Sequence, residues 1–261
     1  SANMFYISAF AAFILGIYAF TLPKCPPQKL IEKGSSLSQK LGLDAFKLFG
    51  TYKMAVFFIF SMFLGAALQL TNMYGDVFLS EFGNMPQYAD SFVVQKSTLI
   101  MSISQFSETA FILAIPFFLK RFGIKQVMLI SMLAWVLRFG FFAYGDPSFG
   151  GTSLIIMSCI VYGMAFDFFN ISGSLFIETT TDSKIRSSAQ GLFMMMSNGF
   201  GAFFGGIISG QVIDAFFTHD GVRDWHNIWL AFATYALVIA IAFSVMFKHK
   251  HNPEEVANVS H

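Results

Sequence analysis

Two acids interrupt apolar stretches of this chain: Glu108, midway along 97–119, and Asp167, midway along 152–178. A carboxylate at the centre of a membrane span costs roughly 2.5 to 3.5 kcal/mol on insertion scales, so an acid found there is a functional candidate by default. Withdrawal from water favours the protonated form of a carboxyl group, which lets it take up and give back a proton. The competing reading is a structural hydrogen bond between helices. Polar neighbours at helical spacing favour the first reading. Gln69 and Asn72 lie three apart and share a helix face, and Gln105 and Glu108 repeat that spacing. Tyr162 and Phe166 are four apart on one face, with Asp167 turned about 140° from Tyr162 in a 3.6-residue helix. Aromatic faces stack on flat rings, while amides and carboxylates bond to hydroxyls and ring edges. The set suits a flat, hydroxylated heterocycle. For Tyr162 and Phe166 alone, core or lipid packing competes, because the chain holds 35 Phe.

These side chains need helices in lipid to hold them. Hydrophobic residues make up 55% of the chain and charged ones 12%, and mean hydropathy is +0.62. Such a composition lies outside that of ordinary soluble domains. A net charge of +1 lacks the clustered basic surface that phosphate neutralisation requires, which excludes a nucleic-acid partner. Cys25 and Cys159 show neither disulfide nor metal-site spacing, and no cofactor motif is present. Spanning a core of about 30 Å takes roughly 20 apolar residues. Runs of that kind cover 4–22, 54–80, 97–119, 124–144, 152–178, 188–216 and 227–247. Backbone groups cannot stay unpaired in lipid, so these spans are expected to be helices.

Ser1-Ala2-Asn3 reads as the scar of a cleaved tag, and the abrupt apolar start reads as a fragment. Residues 23–53 form a linker with Pro23, Pro26, Pro27 and six lysines: Lys24, Lys29, Lys33, Lys40, Lys47 and Lys53. Within it Leu41, Leu43, Phe46 and Phe49, with Lys40, Asp44 and Lys47 between them, read either as a short surface helix or as unstructured chain. Basic loops face the cytoplasm. Placing this linker there also puts Lys120, Arg121, Lys125, Lys184, Arg186, Lys248 and Lys250 on that side, leaving Lys96 and Arg223 opposite. The run Ala114 to Gln126 is expected to be a cytoplasmic turn. Arg138 is expected either to pair with one of the mid-span acids or to snorkel to the outer interface. Gly201 with Gly205, or Gly206 with Gly210, reads as a surface for close helix approach.

One span, a long basic loop and six further spans resemble the later part of a major facilitator transporter, two six-helix halves with the solute held between them. The residues resemble more specifically the nucleoside:proton symporter family of that superfamily. Gln69 with Asn72, Gln105 with Glu108, and the run from Tyr162 to Phe166 and Asp167 are similar to its nucleoside-contacting positions on helices seven, eight and ten. Arg186-Ser-Ser-Ala-Gln190-Gly191-Leu192 is similar to its entry into helix eleven, and Lys120-Arg121-Phe122-Gly123-Ile124-Lys125 resembles, in degraded form, the basic turn of each half. The resemblance implies an all-α integral membrane protein of the major facilitator fold. Residues 4–22 would be the end of helix six, 23–53 the central loop, 54–247 the six-helix carboxy-terminal domain and 248–261 a cytoplasmic tail. It implies proton-coupled nucleoside symport across the bacterial inner membrane. The seven residues would form one wall of the pocket, with Glu108 and Asp167 as proton-coupling candidates. Partners would be a nucleoside, a proton, the lipid bilayer and the missing amino-terminal half. No catalytic residue, metal or cofactor is expected. Carriage of another small polar solute, such as a sugar or a drug, stays open, and an intramembrane aspartyl protease or a seven-helix receptor fits the residues less well.

Overall fold

The computed structural model describes residues 3–24 and 42–252, so the expectations for most of the linker and for the end of the tail lie outside the described residues. The chain divides into two units, Ser1–Lys40 and Leu41–His261. In the first, α1 (Asn3–Ala19) is an apolar helix of 17 residues.

The second unit begins with a 3-10 turn, Leu43–Gly50, entered through Gly42 at φ 70°. Its Asp44 and Lys47 pair at 2.7 Å, and Phe49 packs on Phe58 at 5.2 Å between centroids. The long elements follow: α2 (Tyr52–Glu81), the single turn α3 (Phe92–Gln95), α4 (Ser97–Ala143) and α5 (Phe149–Thr180). After them come α6 (Arg186–Met194), a π-helical stretch (Met195–Gly201), α7 (Ala202–Phe216) and α8 (Trp225–Met246). Two-residue strands, β1 (Thr218–His219) and β2 (Val222–Arg223), pair antiparallel before α8. Side chains cap the later helices. Ser148 accepts from the Gly151 amide ahead of α5, and Asp224 from the Asn227 amide ahead of α8, each occupying a donor the helix leaves open. Five stretches among the described residues are long and apolar enough to cross a membrane, making this an all-α, multi-pass membrane protein.

One of the five departs from the hydropathy reading. The expected turn over Ala114 to Gln126 is helical except at Gly123, whose φ of 79° and ψ of 168° break α4 into two arms. Pro116 is accommodated inside the first arm, and the apolar residues after it, including the fully buried Leu119, keep the helix running. A straight helix of 47 residues would measure about 70 Å, more than twice the core of a bilayer. Reversal at Gly123 instead lays the arms side by side, since Arg138 on the second arm reaches Ser104 on the first.

Lipid is as apolar as Leu, so shape and aromatic packing, more than water exclusion, hold such helices together. Trp229 on α8 sits among Phe78, Phe139 and Phe142 at centroid distances of 5.5, 5.8 and 4.9 Å. The other end of the bundle is filled by Phe57 against Phe169, Phe176 and Phe193. Gly201 and Gly205 lie against α2, where an added Cβ would strike the Met62 carbonyl or Ala66, whereas Gly210 has nothing nearer than the Tyr74 hydroxyl at 3.9 Å. Close approach therefore belongs to the first of the two glycine pairs.

Candidate functional site

Glu108 lies about 16 Å along the first arm of α4 from Ser97, half the depth of a bilayer core. The helix that faces it is α5, brought in at Gly163. A Cβ there would lie 2.6 Å from the Ser107 backbone and hydroxyl, and the Ser107 hydroxyl donates to the Ile160 carbonyl. Only glycine admits this contact, which sets the neighbours of both residues, Glu108 and Tyr162, beside one another. A second tie runs from the other arm, where Ser131 Oγ donates to the Ala165 carbonyl at 2.5 Å.

The result is a compact charged group at mid-depth. Tyr162 and Asp167 are each 7% exposed, Glu108 is half-buried, and Tyr162 feels the charges of Glu108, Arg138 and Asp167 together. Glu108 also acts on Asp167. Asp167 Oδ2 has no hydrogen-bond partner among the described residues. A buried carboxylate oxygen left unclaimed by the protein is a costly arrangement unless another group or a proton meets it.

Beside this group, α2, the second arm of α4, α5, α6 and the π-helical stretch line a shallow cleft with about 20 Å³ of enclosed space, room for a water molecule within this chain's own walls. Phe166, Trp135 and Phe169 give it aromatic walls, while Asn170, Ser197 and Asn198 give it polar ones. The ring of Trp135 meets Tyr162 edge-on at 5.8 Å, linking the cleft to the charged group. A larger crevice of about 350 Å³ between α2, α7 and α8 is walled by Phe63, Phe204, Ile208 and other apolar groups. The smaller one has the amides of Asn170 and Asn198 in its wall, whereas the larger has only the Ser209 and Tyr235 hydroxyls.

Of the seven residues singled out from the sequence, Phe166 lines this cleft, and Glu108, Tyr162 and Asp167 form the charged group. Gln69 is half-buried, and Asn72 and Gln105 are exposed. With its amide turned to satisfy both ends, Gln105 donates back to the Ser102 and Met101 carbonyls of its own helix at 3.1 and 3.2 Å. Asn170 and Asn198 were not singled out. The signal for Asn170 was its place four residues after Phe166, hence on the same helix face, and for Asn198 an amide within an apolar run. Arg138 does not snorkel, and it forms no ion pair among the described residues. It is 0% exposed, because hydroxyls, a carbonyl and the Tyr162 ring from neighbouring spans, with Phe142 from its own arm, surround it.

A family model described as "Nucleoside H+ symporter" matches residues 1–252. The xanthosine permease of Escherichia coli (strain K12) is 57% identical over 98% of this chain, and the nucleoside permease NupG of the same strain is 55% identical over 98%. The chain spans 61% of the length of each. Crystal structures of the nucleoside transporter NupG superpose with TM-scores of 0.82 for a point mutant and 0.78 for a second structure. They cover 95% and 96% of this chain, in both cases at 55% identity and 61% of the other chain.

Proposed function

This chain belongs to the nucleoside H+ symporter family, and from that premise we propose that the full-length protein carries nucleosides together with protons across the bacterial inner membrane by alternating access. The observation that carries the reading is that Glu108 and Asp167 stand at bilayer depth on two spans that meet beside Tyr162, with one acid oxygen unpartnered among the described residues. Acids at that depth are the residue type through which a site can exchange a proton with the solution on either side of the membrane. Gln69, Asn72, Gln105, Glu108, Tyr162, Phe166 and Asp167 form this chain's share of the pocket. Phe166 and Tyr162 offer ring faces to a base, and the amides and acids offer donors and acceptors to ribose hydroxyls. The remaining wall comes from the amino-terminal half, and the bilayer is the solvent for the outer faces.

In the cycle so proposed, a proton enters Glu108 or Asp167 from the outer side, the neutralised site accepts the nucleoside, and opening to the cytoplasm releases both. Coupling arises because the site is loaded only when proton and solute are both present. Uptake of radiolabelled uridine by vesicles containing the full-length protein tests this. Accumulation is expected to collapse on addition of an uncoupler, and accumulation that persists without a proton gradient, or that follows sodium instead, overturns the proton coupling.

A further inference from the structure

Arg138 carries the one fully buried charge among the described residues, and its contacts follow a pattern. Its Nε donates to Thr71 Oγ1 on α2 at 3.2 Å. Its Nη1 donates to the Ser158 carbonyl on α5 at 2.9 Å and to Ser104 Oγ on the first arm of α4 at 3.5 Å. Ser158 Oγ returns a bond to the Arg138 carbonyl at 2.9 Å. The guanidinium lies over the Tyr162 ring at 4.3 Å and over Phe142 at 5.0 Å.

Each acceptor adjoins a residue of the proposed pocket wall. Thr71 immediately precedes Asn72, Ser104 immediately precedes Gln105 and stands one turn before Glu108, and Ser158 stands one turn before Tyr162. One side chain on the second arm of α4 thus grips the three other spans at the points where they carry their polar residues. The fork is what permits this, because a guanidinium directs several donors in fixed directions whereas an ammonium is a single point on a flexible stem. Sliding any of the spans would strip a partner from a charge with no water to replace it, a costly loss at bilayer depth.

We infer that Arg138 is a positioning residue of the solute site, setting the mutual register of Gln69 and Asn72, Gln105 and Glu108, and Tyr162 while making no contact with the solute itself. The inference rests on the reading of those residues as the nucleoside wall. Its test uses the full-length protein in detergent, with R138K and R138M compared with wild type by calorimetric titration of uridine and by the KM and Vmax of uptake. Y235F is the comparator: it removes a half-buried bond between helices, Tyr235 Oη to the Phe63 carbonyl at 2.9 Å, from a side chain that does not line the cleft.

Both Arg138 variants are expected to bind uridine about tenfold or more weakly, with lysine failing to rescue despite its charge, since a bidentate or stacked arginine is not replaced by lysine. Y235F is expected to lower the thermal midpoint and leave the dissociation constant unchanged. Uridine binding by either Arg138 variant within about twofold of wild type overturns the inference. If neither variant yields folded protein, T71A decides, because it removes a single arm of the fork: a measurable loss of affinity supports the inference and wild-type affinity overturns it. Wild-type protein that binds no nucleoside overturns the nucleoside reading and this inference together, whereas wild-type binding matched by the variants overturns the inference alone.

Discussion

Arg223, on the hairpin before α8, donates to Glu81 at 2.6 Å and keeps 34% of its side chain exposed. Trp225 Nε1 donates to the second oxygen of the same carboxylate at 2.6 Å, and the guanidinium also stands 5.7 Å from the Trp225 ring. Arg138, at depth, has the aromatic contacts but no carboxylate among the described ion pairs. At the rim, water shares the cost of both charges, so a direct ion pair forms and fastens α2 to α8. In the interior a tight ion pair would consume the acid. The cation is held there by dipoles and ring faces instead, which leaves Glu108 and Asp167 outside the described ion pairs.

Neutralising the deep acids is the severest way to break this contrast. In full-length protein, E108Q and D167N are expected to abolish concentrative nucleoside uptake in at least one case, with exchange of internal for external substrate retained; wild-type accumulation by both removes these acids from the mechanism. Breaking the rim pair acts far more gently. E81Q and R223Q are each expected to lower unfolding stability by no more than about 1 kcal/mol, as for partly exposed ion pairs, with uptake intact. A rim variant that halts transport without loss of folded protein ends the distinction between the two arginines.

The smallest effect lies a residue beyond the rim pair, at Asp224. Bonds from the Asn227 side chain and amide hold its carboxyl below the usual carboxylate range. A depressed folded value contributes stability above the unfolded pKa of about 3.9, and that contribution disappears as pH falls through the folded value. D224A is expected to cost roughly 0.5 kcal/mol, the low end for a solvent-exposed helix cap. Its difference from wild type, followed by thermal melts, should be flat from neutral pH to about 5 and vanish in strong acid. A difference that grows on acidification contradicts the cap assignment.

The membrane class and the helical fold were legible because lipid allows few solutions: long apolar runs must be helices, and hydropathy finds them. Hydropathy put the reversal within Ala114 to Gln126 but drew it too long: helix runs on either side of the single break at Gly123, since charge at a helix end looks the same to it as charge in a loop. At the candidate site, spacing found residues that share a helix face, as with Tyr162 and Phe166. What spacing could not supply was contact between helices. Nothing in the local sequence says that Ser107 meets Gly163, or that Arg138 reaches Thr71, Ser104 and Ser158. Those pairings join residues far apart in the chain, and the choice between an ion pair, a snorkelled side chain and a dipole cage depends on them.

The π-helical stretch Met195–Gly201 bears Ser197 and Asn198 into the cleft and ends at Gly201 against α2. Such a segment contains one residue more than an ordinary helix needs to cover the same rise, which offsets everything after it by about 100°. Tightening this stretch into an ordinary helix with every residue kept would therefore act as a twist of the downstream rod. It would swing the smooth glycine flank of α7 off its neighbour and turn bulky phenylalanines toward the seam.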